Sequence, residues 1–249
     1  MTELWNYENR CWEAGYETVC GVDEAGRGPL AGPVCAAAVI LPRGLDIPGL
    51  NDSKKLTAKR REALYDIITE QALAYGIAFA SEQEIDEINI LQATFLAMRR
   101  AMDQLRVRPD IALIDGNRET DFGLPVQTIV KGDSLSANIA AASILAKVTR
   151  DRFMLEMDEK YPQYGFATHK GYGTRAHYAA LPRIGTVGDR DLIEPVLKAD
   201  EVERAVVMIV IAAAYTVFLL RLAVMEAPVV CAAAEYHDRD KWLPVRPFC

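Results

Sequence analysis

Two adjacent carboxylates, Asp23 and Glu24, end an apolar run and are followed at once by a glycine-arginine-glycine turn. The run, residues 18–22, is short and partly β-branched, which predicts a strand whose end carries both acids out of a buried sheet. Two carboxylates about 4 Å apart, at an effective dielectric constant near 20, repel each other by roughly 4 kcal/mol. Such a pair requires a shared proton, a nearby base or a bound divalent cation, and the cation is the most specific of these interpretations.

Two more acids are predicted to lie at strand ends. Asp115 follows the apolar run 111–114, and Asp133 follows a strand predicted at residues 126–130. Each has a simple structural interpretation, because Asp-Gly is a common turn dipeptide and an aspartate can cap the helix that follows it. Ligands of open α/β sheets gather at the carboxyl ends of strands, so the acids are expected to share one cleft. Oxygen ligands without a Cys or His pattern nearby favour Mg²⁺ or Mn²⁺ over zinc.

Basic and hydroxyl side chains could supply the other half of a phosphate-binding site. Ser53 and Lys54 lie on a loop before a predicted helix. In a later helix, Ser143, Lys147 and Arg150 recur at helical spacing and form one polar stripe, which core packing does not account for. We therefore interpret Ser53, Lys54, Ser143 and Lys147 as phosphate contacts.

Other polar residues nearby have simpler interpretations. Residues 59–61 continue the positive charge into a helix, where a run of charges usually forms a solvated face. Asp151 is expected to pair with a neighbouring cation rather than to bind a metal. His169 is expected to lie in a loop without a catalytic role.

The composition predicts a globular protein with one large domain, or one domain plus an appendage. The chain has 249 residues, of which 51% are hydrophobic and 25% charged. A net charge of -7 argues against a general polyanion binder but allows a local basic groove. Five scattered cysteines without a C-x-x-C pair argue against zinc and disulfide frameworks and indicate the cytoplasm. The first thirty residues lack a signal-peptide pattern.

Strands and helices are predicted to alternate up to about residue 190, which is typical of a layered α/β domain. The predicted strands span residues 18–22, 34–41, 75–80, 111–114 and 126–130. The predicted helices span residues 57–72, 82–105 and 134–161.

Six motifs in this chain, in this order, resemble those of bacterial ribonuclease HII, the prokaryotic type 2 ribonuclease H. They are D-E-A-G-R-G at 23–28, L-N-D-S-K-K-L at 50–56, I-D-G at 114–116, K-G-D-S at 131–134, A-A-A-S-I-L-A-K-V-T-R-D at 140–151 and H-K-G-Y-G-T at 169–174. The resemblance covers residues 16 to 181, and six ordered motifs are far more specific than any one of them. It implies a ribonuclease H-like α/β fold, with a mixed central sheet flanked by helices, for a catalytic domain at residues 1–190.

The resemblance also implies an activity and its metal ligands. The expected enzyme is an endonuclease that hydrolyses the RNA strand of RNA–DNA hybrids and nicks 5′ of single ribonucleotides in duplex DNA, during replication and repair. It leaves a 3′-hydroxyl and a 5′-phosphate. The implied catalytic residues and metal ligands, which would hold two Mg²⁺ or Mn²⁺ ions, are Asp23, Glu24, Asp115 and Asp133.

Substrate contacts follow from the same resemblance. Gly26, Arg27 and Gly28 match the turn that senses the ribose, and Tyr172 matches the residue that packs on the neighbouring sugar at an RNA–DNA junction. The full set of expected substrate contacts is Gly26, Arg27, Gly28, Ser53, Lys54, Ser143, Lys147 and Tyr172. We expect a monomer that binds RNA–DNA hybrid and ribonucleotide-containing duplex DNA and uses no small-molecule cofactor.

Three alternatives are weighed against this interpretation. A dinucleotide-binding turn at residues 26–32 is disfavoured, because such a turn opens a helix whereas residues 34–40 predict a strand. Ribonuclease HIII usually carries an extra N-terminal domain, and only about fifteen residues precede the first predicted strand. A noncatalytic or membrane-tethered hybrid-binding protein on the same scaffold stays as the alternative function.

The chain departs from the family pattern after about residue 184, where a short basic ending is expected. Residues 191–249 form an atypical C-terminal extension with an apolar helix predicted at 202–225. A bilayer span needs about 20 apolar residues, so Arg221 would have to reach an interface, and membrane contact is not the favoured interpretation. The other interpretations are a packed helix, a self-association surface and a tail without a selected role, such as an altered reading frame gives. Loss of the basic ending is expected to weaken substrate binding without touching the metal ligands.

Overall fold

Five strands form one mixed sheet. They are β1 (Val19–Ala25), β2 (Val34–Ile40), β3 (Ala74–Ala80), β4 (Ile111–Asp115) and β5 (Val126–Ile129). In the computed structural model, which describes residues 3–118 and 120–184, the strand order is β3-β2-β1-β4-β5. β1 is antiparallel to β2 and parallel to β4. The predicted α/β class with a mixed central sheet is confirmed.

Helices cover both faces of this sheet. They are α1 (Asn6–Glu13), α2 (Ala58–Gln71), α3 (Glu82–Asp103), α4 (Ala137–Lys160), α5 (Phe166–His169) and α6 (Arg175–Ile184). Because side chains alternate along a strand, Ala37 and Val39 of β2 pack in one apolar cluster with α2 and α4. Ala36 and Ala38 pack in a second cluster with α3 on the opposite face. The sheet is therefore buried between two helical layers.

Close contact between α4 and β1 depends on Gly21. A Cβ atom at this position would lie 2.2 Å from the backbone carbon of Asn138. Asn138 also joins two strands to the helix, because its amide donates to Val19 O and accepts from Leu41 N. The first turn of α4 is thus fixed directly on the centre of the sheet.

The strand and helix boundaries differ from prediction next to the acids. β1 continues to Ala25, because Asp23 and Glu24 pair with Ala37 and Ala36 of β2, so both acids lie within the strand rather than after it.

The long helix also begins later than predicted. α4 begins at Ala137, and Ser136 caps it by accepting a hydrogen bond from Ile139 N. Asp133 instead lies in a separate 3-10 turn, Gly132–Ser134. The interpretation of Asp133 as the helix cap is therefore wrong, and its carboxylate is available to the cleft.

One predicted helix is interrupted. Asn89, inside α3, has a φ of 68°, and its side chain accepts hydrogen bonds from Leu91 N and Gln92 N. The amide thus caps the second part of α3, a break that the helical spacing of apolar residues did not reveal.

The N-terminal helix α1 was not predicted, and it brings a buried carboxylate to the start of α4. Glu8 Oε1 accepts hydrogen bonds from Ser136 Oγ (2.6 Å) and Asn138 N (3.0 Å). Burial raises the pKa of Glu8, and these hydrogen bonds oppose the shift. Glu8 therefore links α1 to the helix end beside Asp133.

The free edge of β3 is covered by side chains. Gln104 accepts a hydrogen bond from Ile77 N, and Arg100 donates to Phe79 O. Arg100 also pairs with Glu84, which forms a capping box with Ser81 at the start of α3. The hydrogen bonds from Arg100 lower the pKa of Glu84 to about 2.

Residues 185–249 lie outside the described part of the chain. The predicted extension at 191–249, its helix at 202–225 and the end of the domain predicted at 1–190 stay predictions for that reason. Among the described residues, no helix is both long and apolar enough to cross a bilayer.

Replacing Glu8 by alanine is expected to reduce the free energy of unfolding by about 2–4 kcal/mol, because the buried Ser136 hydroxyl and Asn138 N–H lose their acceptor. Urea unfolding at pH 7 measures this loss. Glu13→Ala, an exposed change on the same helix, is the control and should stay within about 0.5 kcal/mol of wild type. Equal stability of the two variants would contradict the role given to Glu8.

Replacing Glu84 by glutamine is expected to cost about 1 kcal/mol at pH 7, because the side chain loses its charge and half of its pairing with Arg100. Since the folded-state pKa of Glu84 is lowered to about 2 from an ordinary value of 4.5, its contribution is present above about pH 4.5 and is lost as the pH falls towards 2. Urea titrations between pH 7 and pH 2.5 should therefore show the wild type converging on the variant. Glu70→Gln, an exposed change on α2, controls for the general effect of removing one carboxylate.

Candidate active site

The four acids meet at one end of the sheet. β1 and β4 are neighbouring parallel strands in which Val22 pairs with Ile114, so Asp23 and Asp115 follow this pair at the same strand end. The turn after β5 brings Asp133 beside them, because Gly132 N donates to Asp115 Oδ1 at 2.6 Å. The predicted shared cleft is observed.

Gly132 permits this close approach. A Cβ atom at this position would lie 3.3 Å from Asp115 Oδ1 and 2.7 Å from Ile139 Cδ1. The turn therefore carries a glycine where the two aspartates come together.

Crowding and burial change the acidity of three of the four carboxyl groups. Burial raises the pKa of Asp23 well above its ordinary value, and the charges of Glu24 and Asp115 add to the shift. Burial also raises the pKa of Glu24, although Arg27 opposes it. The pKa of Asp133 is raised by burial, with Asp115 adding to the shift. The cleft thus has a strong demand for positive charge.

Two cationic side chains meet part of this demand. Arg27 Nη1 lies 3.3 Å from Glu24 Oε1, and Lys54 Nζ lies 3.4 Å from Asp133 Oδ2. Burial acts to lower the pKa of Lys54, but Asp133 and Asp23 outweigh it and the pKa is raised. The Lys54 side chain is 76% exposed and that of Arg27 is 45% exposed, so neither pair holds its cation firmly.

The donor set suits a hard divalent cation, although the ligands do not already surround one point. Among the described residues, no three Asp, Glu, His or Cys side chains form a ready metal-binding group. Glu24 and Asp133 instead pair with Arg27 and Lys54, and Asp115 accepts from Gly132 N. Carboxylate oxygens alone, crowded at a strand end, fit Mg²⁺ or Mn²⁺ once the two exposed cations move away.

Two of the predicted substrate contacts lie beneath the acids. Ser53 Oγ and Ser143 Oγ are 2.7 Å apart, and both residues are buried. Ser143 also donates to Asp23, which opposes the rise in the pKa of that carboxyl. The serine pair therefore supports Asp23 from the side of α4, and a direct substrate contact stays a prediction.

The residues of the polar stripe on α4 make different kinds of contact. Lys147 Nζ binds Asp151 at 2.7 Å and lies 5.8 Å from the ring centroid of Tyr172. Asp151 also lies 3.8 Å from Arg61, and its predicted pairing with a cation is confirmed.

The expectation that core packing does not account for the polar stripe is wrong for Arg150. Its buried guanidinium donates to Ala31 O, Pro33 O and Lys170 O at 2.9–3.0 Å. Arg150 thus fastens together the loop after β1 and the loop that carries Tyr172, and helical spacing alone could not separate this task from a surface contact.

The glycine-rich turn lies against the Tyr172 loop. Gly26 has a φ of 117°, and a Cβ atom there would lie 2.6 Å from both Arg150 Nε and Pro33 O. Gly28 faces the Tyr172 ring, which a Cβ atom would meet at 3.6 Å. The structure therefore brings together the turn at 26–28 and Tyr172. His169, expected in a loop, is buried at the end of α5.

Comparison with known proteins gives the family of this chain. The family model "Ribonuclease HII" matches residues 20–191. The chain is 58% identical over 179 residues to the ribonuclease HII of Syntrophotalea carbinolica, covering 72% of this chain and 86% of that protein. It is 57% identical over 182 residues to the ribonuclease HII of Geobacter sulfurreducens, covering 73% and 84%.

A solved structure shares the fold. The crystal structure of ribonuclease H2 from Pyrococcus horikoshii superimposes with a TM-score of 0.59 at 28% identity, covering 70% of this chain and 91% of that chain. The match of the family model to well over half of the chain, and relatives more than half identical across most of their length, lead to one conclusion: this chain belongs to the ribonuclease HII family.

Proposed function

We propose that this chain hydrolyses the RNA strand of RNA–DNA hybrids and nicks 5′ of single ribonucleotides embedded in duplex DNA, leaving a 3′-hydroxyl and a 5′-phosphate. The chain is an endoribonuclease by family, and the finer activity rests on one observation. Four carboxylates gathered at a single sheet end lie beside a glycine-rich turn that faces Tyr172.

Asp23, Glu24, Asp115 and Asp133 are the proposed ligands of two Mg²⁺ or Mn²⁺ ions. Two such ions supply an activated water and stabilise the leaving oxygen of an in-line displacement. The protein's own contribution is to hold the carboxylates in place, through Ser143 at Asp23 and the Gly132 N–H at Asp115. Lys54, exposed beside Asp133, is proposed to move to a phosphate when metal binds.

The turn at residues 26–28 is the proposed ribose sensor. Gly26 and Gly28 have no side chains, so backbone groups can approach the 2′-hydroxyl that distinguishes RNA from DNA. Arg27 is half exposed, and its side chain is long enough to leave Glu24 and bind the adjacent phosphate. Tyr172, with 44% of its surface exposed, is proposed to pack on the neighbouring sugar, with Lys147 next to it for the backbone.

The two buried serines are also part of the proposal. Ser53 and Ser143 are buried, so we propose that they affect the substrate by fixing Asp23 and the turn Ser53–Lys55 that carries Lys54. A cytoplasmic location, a monomeric state and the absence of a small-molecule cofactor stay predictions.

A noncatalytic hybrid-binding protein is the competing interpretation. It is disfavoured because all four acids are present and converge, whereas binding alone would not require the repulsion that they create. A membrane tether would depend on residues 202–225, which lie outside the described part of the chain.

Asp115→Asn is expected to lower nicking of a duplex with one ribonucleotide by at least about a hundredfold, because a neutral amide is a poor ligand for a divalent cation and a poor source of negative charge. Gel analysis of the cleaved strand, with Mg²⁺ and separately with Mn²⁺, measures the rate. Asp66→Asn, an exposed change on α2, is the matched control and should keep wild-type activity. EDTA should abolish cleavage, and added Mg²⁺ or Mn²⁺ should restore it.

Binding of the duplex without cleavage by the wild-type protein, under every metal condition, would contradict the proposed function and support the noncatalytic alternative. Asp115→Asn is nearly isosteric, so urea unfolding should show that the fold is retained while activity is lost.

Gly26→Ala is expected to lower ribonucleotide-dependent nicking by roughly tenfold or more and stability by about 1–3 kcal/mol, because the methyl group meets Arg150 and Pro33 and the φ of 117° is strained. Gly44→Ala is the matched control, since Gly44 also has a positive φ (72°) but a Cβ atom there meets nothing within 4 Å. The control should lose about 1 kcal/mol at most and keep its activity. Equal activity of both variants would contradict the role of the turn.

A further inference from the structure

Two buried histidines lie under the loop that carries Tyr172. The rings of His169 and His177 stack with centroids 4.4 Å apart and an interplanar angle of 14°. Phe166 presents its ring to both at 5.8 Å in edge-on contacts. His169 is 6% exposed and His177 is 2% exposed, so neither can touch a nucleic acid.

Hydrogen bonds fix a different neutral form of each imidazole. His169 Nδ1 accepts from Gly171 N at 3.2 Å, so its Nε2 carries the proton and donates to Tyr164 O at 2.9 Å. His177 Nδ1 lies 3.0 Å from Tyr172 O and must donate there, because a carbonyl oxygen only accepts. Two stacked rings that are both neutral avoid mutual repulsion, and burial lowers the pKa of His177.

The two rings therefore hold both sides of one short backbone segment. His169 binds the N–H of Gly171, and His177 binds the carbonyl of Tyr172. The carbonyl of Gly171 accepts from Leu30 N and Ala31 N, in the loop after β1. The segment is thus fixed to the histidine pair beneath it and to the glycine-rich loop beside it.

The side chain of Tyr172 is 44% exposed. Its ring lies near Gly28, where an added Cβ atom would meet it at 3.6 Å, and the Lys147 ammonium lies 5.8 Å from the ring centroid. The place of the ring over Gly28 follows mainly from its backbone. Without the bond from His177, the Tyr172 backbone would keep the hydrogen bond from Thr174 N to its carbonyl and the one from its own N–H to His169 O.

We propose that the His169–His177 pair is the positioning element for Tyr172, and that it sets the preference of the enzyme for a single ribonucleotide over continuous RNA. The inference rests on the proposed function, in which Tyr172 packs on the sugar at an RNA–DNA junction. His169 and His177 act through Tyr172 and are positioning residues without contact to the substrate.

The first test compares two substitutions at His177. Phenylalanine keeps the ring stack and removes the donor, whereas asparagine places an amide N–H near the position of Nδ1. His177→Phe should lower kcat/KM for duplex DNA with one ribonucleotide roughly fivefold to tenfold, which is the loss that corresponds to one hydrogen bond. It should change kcat/KM for a uniform RNA–DNA hybrid by less than about twofold. His177→Asn should recover most of the loss. Thr168→Ala, an exposed change on α5, is the control.

The second test asks whether the effect passes through Tyr172. In a double-mutant cycle, His177→Phe should add no further loss of substrate preference to Tyr172→Ala, because the residue that it positions is already absent. Fluorescence anisotropy of a labelled single-ribonucleotide duplex in EDTA measures binding without cleavage. The binding affinities of the same variants should show the same lack of a further loss in the double mutant.

The inference would be overturned if the losses of substrate preference caused by His177→Phe and Tyr172→Ala added in full. It would also be overturned if His177→Phe left the preference for a single ribonucleotide unchanged. Should His177→Phe fail to fold, the pair His169→Phe and His169→Asn takes its place, since asparagine keeps an acceptor for Gly171 N and phenylalanine does not. A wild-type protein that cannot cleave the single-ribonucleotide duplex overturns the proposed function itself. If the wild-type protein cleaves this duplex and the histidine variants keep its preference for a single ribonucleotide, only this inference is overturned.

Discussion

Repulsion among four carboxylates at one end of the sheet is the constraint on which the surrounding structure depends. Each carboxylate has a partner that reduces this repulsion. The partners are a hydroxyl from α4 for Asp23, a guanidinium for Glu24, a backbone N–H for Asp115 and an ammonium for Asp133. The fixed partners, hydroxyl and N–H, keep two acids in position. The two cations, on Arg27 and Lys54, are exposed, so their ion pairs with Glu24 and Asp133 are the weaker part of this arrangement.

The helix behind the acids makes this arrangement rigid. α4 lies on β1 at Gly21, and its first turn is held by Glu8 and by the hydrogen bonds of Asn138. The same helix supplies Ser143 to the acids, Lys147 to the Tyr172 ring and Arg150 to the two loops above it. A single helix therefore fixes the four acids, the glycine-rich turn and the Tyr172 loop relative to each other.

Much of this could be predicted from short-range sequence patterns. All five strands were predicted to within a few residues, because each is a short apolar run bounded by polar residues, Gly or Pro, and the four acids were predicted to share one cleft. Residues that act over long sequence separations were not identified. Glu8 contacts α4 across about 130 positions, and Arg150 joins loops about 120 and 20 positions away. Nothing local distinguishes such residues from surface charges or, for His169, from a loop histidine.

The covered edge of β3 has a consequence for how the enzyme can associate. Sheets often grow by accepting an extended strand at an open edge. Here Gln104, Arg100 and Arg106 already occupy edge groups at Ile77, Phe79 and Leu73, so an incoming strand would have to displace three side chains that α3 and the segment after it hold in place. The opposite edge strand, β5, has only four residues. The two edges of the described sheet thus offer little open backbone on which a second copy could add a strand.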